Sequence, residues 1–514
     1  MKIFILFFYY LILNCDGYRI LAIFPHSARS HHIFFTPLID TLALRQHNVT
    51  VINYHPVQKF PNLHQISLQD RGNATSASVD IEKRMEALST GDISLAYATA
   101  QVFKNIANTN CKKLMNNEEV QELIHYKERF DVVIVEQFVT DCGLAVAYNL
   151  NAPAIGIAAH ILSPWTYARL GAPNNPAYVP NHFFGSGTKP NLLNTIKSVV
   201  INFGMNMYYT YVIQRSDQEI VNKVYPDTPL LEDLGKNMSL IMINQYFPLT
   251  SPRLYSSNVV EIGGMHINPN DGVADKGLLN FLDTANNGVV YISFGSVASN
   301  LPSKITNEIM KLIETSNMRF VWKTDISNWV SPSNAFVGKW MPQAAVLCHP
   351  NVIAFISHSG MLSTSEAMHC GVPIVSIPLF GDQFANGKSA VESGLGVSLD
   401  ILTLNKRVLK NALQTILREQ YQKKAKELSK LWKDRPLSPM DTAIFWIEFI
   451  ARNKGAVNMK PPTLDMPFYQ YLMLDVLFIM ASSVVVIAYT LCKVLSIVLI
   501  VFFGKQKLKR KKID

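Results

Sequence analysis

A chain of 514 residues exceeds one ordinary hydrophobic core and predicts two domains of roughly 200 residues each, with room to enclose a substrate between them. Residues 505–514 alone hold five Lys, one Arg and one Asp, a net +5 out of the formal +9, so most of the basicity is a tail. Nucleic acid is thereby excluded as a partner, and six Cys at no zinc-type spacing exclude both a metal module and a dense disulfide scaffold.

Residues 1–17, MKIFILFFYYLILNCDG, combine a lysine, an apolar run and small residues near the end, the form of a cleaved secretory signal peptide. Residues 18–250 then alternate short apolar strands, at 19–24, 49–53, 132–135, 154–156 and 240–244, with helical stretches such as 35–46 and 142–150. That alternation predicts a parallel sheet covered by helices, a Rossmann-like domain. Directly after the first strand comes Ser30-His31-His32, at the carboxyl edge where an open sheet meets its ligand crevice. A histidine there suits a general base, because an unperturbed imidazole titrates near ~6.5. His31, His26 and His32 are the choices. The sequons at Asn48, Asn73 and Asn237 are glycosylation acceptors by pattern, with Asn73 favoured in the loop-like QDRGNATSAS and Asn48 expected to be inaccessible at the start of a strand.

Turn formers fill residues 251–272, the expected linker. The second half, 273–434, repeats the alternation with strands at 289–294, 320–323, 335–337, 352–357 and 374–378. Its densest chemistry is FISHSGMLSTSEAMHCGVPIVSIPLFGDQ at 355–383. A strand ends there in Ser357-His358-Ser359-Gly360 and a helix begins, and free N–H groups at a helix start bind phosphate. Glu366, one turn further on, is placed to accept hydrogen bonds from the vicinal hydroxyls of a ribose, and Asp382-Gln383 after the next apolar run suits sugar hydroxyls.

Residues 435–471 form a further helical stretch and a Pro-rich approach to 472–503, an apolar run exceeding the ~20 residues that cross a bilayer. The basic tail 504–514 should stay cytoplasmic, giving a single-pass type I protein with its body lumenal. Lys511 and Lys512 fit a dilysine address for the endoplasmic reticulum. Outside the leader and the span, Cys111, Cys142, Cys348 and Cys370 are compatible with one disulfide and require none.

The segment 355–383, together with Ser293-Phe294-Gly295-Ser296, Trp340-Met341-Pro342-Gln343 and RPLSPMDTAIFW at 435–446, resembles the signature of the UDP-glycosyltransferase family, most closely its insect branch, and the likeness runs over nearly the whole chain. It implies an α/β fold of GT-B type, with two Rossmann-like domains whose parallel sheets face an interdomain cleft, plus one C-terminal transmembrane helix. Domain 18–250 would bind a small lipophilic acceptor, with the helices of 173–224 beside its pocket, and 273–434 the UDP-sugar, while the helix after residue 435 returns to brace the first domain. Trp340 would stack on uracil and Gln343 contact the nucleoside; Ser296, His358 and Ser363, beside Gly360, would hold the diphosphate; Glu366 would take the ribose, and Asp382 with Gln383 the transferred sugar. His31 would be the base. Its acidic partner would be Asp141, which keeps the family's residue type, or alternatively Glu136, which keeps its position. The resemblance further implies inverting transfer of a hexose, by the insect likeness glucose, with neither metal nor cofactor beyond the UDP-sugar cosubstrate, as in detoxification or in hormone and pigment conjugation. A non-catalytic relative that binds lipophiles or UDP-sugar is the alternative, and homo-oligomerisation stays open. Ser359 departs from the family where many members have Gly, and Leu362 where plant members carry a phosphate-binding Asn.

Overall fold

The computed structural model describes residues 17–69, 80–268, 272–295, 301–326 and 329–510, so the expected leader, Asn73, Ser296 and the Lys511-Lys512 pair lie outside the described residues. The first half is built on strands β1 (Arg19–Ile23), β2 (Asn48–Asn53), β3 (Leu63–Ser67), β4 (Val132–Glu136), β5 (Ala154–Ala158), β6 (Leu240–Ile243) and β7 (Val259–Glu261). They form one parallel sheet in the order β3-β2-β1-β4-β5-β6-β7. The second half holds β8 (Val289–Ser293), β9 (Arg319–Lys323), β10 (Ala335–Gly338), β11 (Val352–Ser357), β12 (Ile374–Ser376) and β13 (Gly396–Ser398), again parallel, in the order β10-β9-β8-β11-β12-β13.

Helices on both faces explain why the central strands are apolar throughout rather than alternating. In β1, Ile20 and Ala22 pack with Phe34, Phe35 and Leu38 of α1 (Arg29–Leu44) on one face. Leu21 and Ile23 pack on the other with Leu114 of α2 (Asp92–Met115) and Leu144 of α3 (Cys142–Asn149). Adjacent side chains thus serve opposite cores, as the period of two in a strand requires.

Three strands escape the sequence reading: β3, β7 and β13, all at or next to a sheet edge. LHQIS in β3 carries little apolar signal because an outer strand buries less, and the other two have three residues each. β7 corrects the expected linker 251–272, since Val259–Glu261 is the seventh strand of the first sheet and the chain leaves that half only afterwards. Cys111 is bridged to Cys142, tying α2 to α3, and Cys348 is bridged to Cys370. That makes two disulfides where the spacing required none.

In the second half α4 (Met361–Cys370) follows β11 and α5 (Gln383–Ser393) follows β12. The last helix of the body, α6 (Pro439–Asn453), starts at a Ser438 cap whose Oγ accepts from Asp441 N at 3.0 Å, with Pro at its first position. Its Ala443, Ile444, Ile447, Ile450 and Ala451 enter the apolar core of the first half beside Ile20 and Phe34. Arg45 to Asp441 at 2.9 Å and His47 to Glu448 at 3.2 Å pin its polar side.

Residues 461–514 form a separate unit dominated by α7 (Leu474–Arg510). Its stretch Leu474–Phe503 has 30 residues, apolar and exposed, enough at ~1.5 Å per residue to span a ~30 Å hydrocarbon layer.

Candidate active site

Parallel strands deliver their following loops to one edge, and the carboxyl edges of both sheets line a single cavity of about 460 Å³. His26 and His31 after β1, His160 after β5, His358 after β11 and Asp382 after β12 all reach its wall.

On the first-half side His31 sits in the opening turn of α1, and its Nδ1 is hydrogen-bonded to Oε1 of Glu136, the last residue of β4. An ionised carboxylate only accepts, so Nδ1 carries the proton and Nε2 keeps its lone pair. Burial holds His31 well below the ordinary imidazole range and pushes Glu136 up to about 7. His26 touches the edge of the His31 ring, with centroids 4.5 Å apart, and burial, with His31 second, lowers it to about 3. The His32 ring does not line the cavity and meets Thr36 Oγ1 and the His55 ring instead.

The expectation that Asp141 partners His31 is corrected. Asp141 lies five residues beyond β4, where its side chain turns into the protein interior. There Arg169 grips both its oxygens at 2.9 and 2.7 Å, and Tyr209 OH and Gln214 Nε2 donate to Oδ2 at 2.8 and 2.9 Å. Nor does its side chain cap α3, although it occupies the capping position. Position along the chain, which pointed to Glu136, was the better guide than residue type. The helices of 173–224 pack behind Phe103 and Phe183 through Ile201, Met205 and Tyr209, and of that region only His182, among the described residues, lines the cavity.

On the second-half side the ring of His358 is held between two glycines. A Cβ on Gly295 or Gly360 would come within 2.7 or 2.6 Å of its Nε2, and Gly295 also has φ 80°. Burial, with Lys323 second, lowers His358 to about 4, so the ring is neutral. Gly360 leads into α4, where Gln343 Nε2 donates to Ser363 Oγ at 2.9 Å and to Glu366 Oε2 at 2.5 Å. His266 Nε2 stands 3.4 Å from the other Glu366 oxygen. Trp340 is 46% exposed, with the Arg29 guanidinium 3.8 Å and the Lys323 ammonium 4.6 Å from its ring centre. Asp382 accepts from Asn386 Nδ2 at 2.9 Å, and burial raises it to about 6. The side-chain oxygen of Gln383 accepts from Leu379 N and Phe380 N at 2.9 and 3.2 Å, so it braces the turn and only the amide N–H groups remain for a ligand.

Both departures noted in the sequence have structural consequences. Ser359 adopts φ 61°, the left-handed region that glycine favours, with its Oγ hydrogen-bonded to Ser376 Oγ at 2.5 Å. Leu362 lines the cavity and packs against the apolar core of the first half, closing the gap between the halves. Sequence reasoning missed Lys323, His160, His182 and His266, which line the cavity, and Arg29, which stacks on Trp340, because nothing local marks a lone cation or imidazole that only the fold brings to the site. Asn48, expected to be inaccessible, is exposed at the first residue of β2, and Asn237 is exposed with Lys460 Nζ 2.7 Å from its Oδ1.

Comparison with known proteins gives a consistent family. The profile described as UDP-glucoronosyl and UDP-glucosyl transferase matches residues 21–510. UDP-glycosyltransferase UGT5 of Dactylopius coccus is 32% identical over 519 residues, covering 97% of this chain and 94% of its own. UDP-glucosyltransferase 2 of the same organism is 32% identical over 91% of this chain and 90% of its own. A solved UDP-glucosyltransferase from Polygonum tinctorium superposes with a TM-score of 0.57 at 15% identity, covering 86% of this chain and 99% of that one. At that identity the likeness is one of fold, two facing parallel-sheet halves of the GT-B type.

The contrasting surroundings of the two carboxylates predict contrasting variants. Asp141→Asn leaves the buried Arg169 charge undercompensated and should cost about 3–5 kcal/mol, read as a lower midpoint in thermal or denaturant unfolding. Glu136→Gln removes a carboxylate that burial already disfavours and should leave the midpoint nearly unchanged. Equal losses in the two variants would contradict this division.

Proposed function

We propose that this chain, which belongs to the UDP-glycosyltransferase family, transfers glucose from UDP-glucose, with inversion and without a metal, to a hydroxyl of a small lipophilic acceptor. Transfer of a glycosyl group from a UDP-sugar is the family's reaction; the sugar, the acceptor and the residue roles are the proposal. The observation that carries it is the His31–Glu136 pair facing Trp340, His358, Glu366 and Asp382 across one cavity.

In this reading the acceptor oxygen lies against His31 Nε2, which takes its proton as the oxygen bonds to the anomeric carbon. The bond from that carbon to the β-phosphate oxygen breaks, and its electron pair leaves with UDP. Attack from the face opposite the departing diphosphate inverts the centre. Glu136 orients the imidazole and stabilises the imidazolium that forms. Developing charge on the diphosphate meets His358 and the amides at the start of α4, donors already in place before reaction. Trp340, Gln343, Ser363, Glu366, Asp382 and Gln383 hold the nucleotide and sugar in the roles given above. Glucose is supported by the absence of Lys and Arg from residues 355–383 and by the 32% identical relative named as a glucosyltransferase. Because Lys323 lines the donor side and could meet a uronate, UDP-glucuronate belongs in the same assay.

The test is a screen of UDP-sugars against phenols and lipophilic alcohols by product mass, with and without chelator. His31→Ala should abolish transfer and leave UDP binding nearly intact. Glu136→Gln should lower kcat by roughly 10²- to 10⁴-fold, the usual worth of an acid–base group. Because Glu136 is pushed up to about 7, the pair holds an extra proton below that pH and releases it above. The rate should therefore rise as pH passes upward through about 7, and this limb should vanish in Glu136→Gln. A pH-independent wild type would sink the assignment of the pair.

Glu366→Gln and His358→Ala should each weaken UDP affinity by roughly ten- to a hundredfold, the worth of a hydrogen bond to a charged group, in titration calorimetry. Unchanged affinity in both variants would move the nucleotide elsewhere.

The enzyme is membrane-anchored through the apolar helix Leu474–Phe503. We place its body in the lumen of the endoplasmic reticulum. Two disulfides support an oxidising compartment, the basic residues following the span support a cytoplasmic end, and Lys511 with Lys512 is the address this reading relies on. Protease added to sealed microsomes should spare the body; its digestion there would reverse the topology.

A further inference from the structure

His160, directly after β5, is 6% exposed and lines the cavity beside His31. Its Nδ1 lies 2.6 Å from the backbone oxygen of Ile161. A carbonyl cannot donate, so Nδ1 bears the proton. Burial, with His31 second, lowers His160 to about 4, so the ring is neutral at physiological pH and its Nε2 is an acceptor only. That Nε2 is buried and has no hydrogen-bond partner among the described residues. An unmet buried acceptor is costly and calls for a donor.

His31 presents the same arrangement, with Nδ1 committed to Glu136 and Nε2 open. The two ring centroids are 6.3 Å apart, and both rings pack on Phe138, at 5.0 and 5.1 Å. Phe103 adds a second aromatic wall 5.4 Å from Phe138. The wall thus offers two acceptor nitrogens within the reach of one small aromatic molecule, and only one of them is needed for the transfer.

We propose that His160 selects the acceptor, accepting a hydrogen bond from a second hydroxyl next to the one that His31 deprotonates, so that the preferred acceptor is an aromatic ring bearing two adjacent hydroxyls. The inference rests on reading this cavity as the acceptor site. Methylation of the second hydroxyl removes its donor and strands Nε2.

The experiment compares 1,2-dihydroxybenzene with 2-methoxyphenol on the full-length membrane-anchored protein, measuring kcat/KM for transfer and Kd for each phenol. Wild type should favour the dihydroxy compound by roughly ten- to a hundredfold, mainly through KM and Kd, since a site built around a donor rejects the analogue that lacks it. His160→Phe should bring the ratio close to one while still turning over 2-methoxyphenol. His160→Gln, which keeps an acceptor, should retain part of the preference. A wild-type ratio near one in Kd and kcat/KM, or an undiminished ratio in His160→Phe, overturns the proposal. Should either variant fail to fold, the wild-type ratio alone decides. Binding preference without transfer from any UDP-sugar would instead overturn the catalytic reading and leave the role of His160 standing.

Discussion

Everything at the site depends on the parallel pairing of every strand in both sheets. A parallel strand must return to the starting edge through a crossover, so helices cover both faces and all strand-to-helix turns open on the same side. The polar residues that a buried sheet cannot hold in its interior then collect at that edge. Two such edges meet at the cavity, with His31, Glu136 and His160 on one side and His358, Glu366 and Asp382 on the other. The helix α6 reinforces the same architecture from a distance, because its apolar face completes the core behind β1 after the chain has left the second half.

Within that frame, two carboxylates five residues apart meet opposite fates. Asp141 is buried with compensation, gripped by a guanidinium, a phenol and an amide, and acts as an internal strut. Glu136 is buried with one imidazole, and its second oxygen has no partner among the described residues. Incomplete compensation moves its titration toward neutrality, where a small change in occupancy by protons alters what the histidine can do. A well-satisfied carboxylate stabilises structure, whereas an under-satisfied one behind a cavity-lining histidine is poised for chemistry. The glycines around His358 follow a related logic, giving up side chains so that one ring can occupy a space a methyl group would fill.

What the amino-acid sequence determined by itself was whatever is encoded within a few consecutive residues. The apolar runs of β1, β4, β8 and β11 could be read because a strand buried on both faces is apolar at every position. The turn Ser357 to Gly360, with Glu366 one helical turn on, carries its chemistry in its spacing, and the long run near the end of the chain exceeds any soluble strand or short helix. Tertiary structure alone decided what depends on contacts between distant segments. It chose Glu136 over Asp141, since that choice turns on Arg169 and Tyr209, far along the chain. It also placed β7 in the first sheet, paired the cysteines, and gathered His160, His182 and Lys323 at one cavity. The reason is that hydrogen bonding, ion pairing and burial act through space, while sequence patterns register only neighbours along the chain.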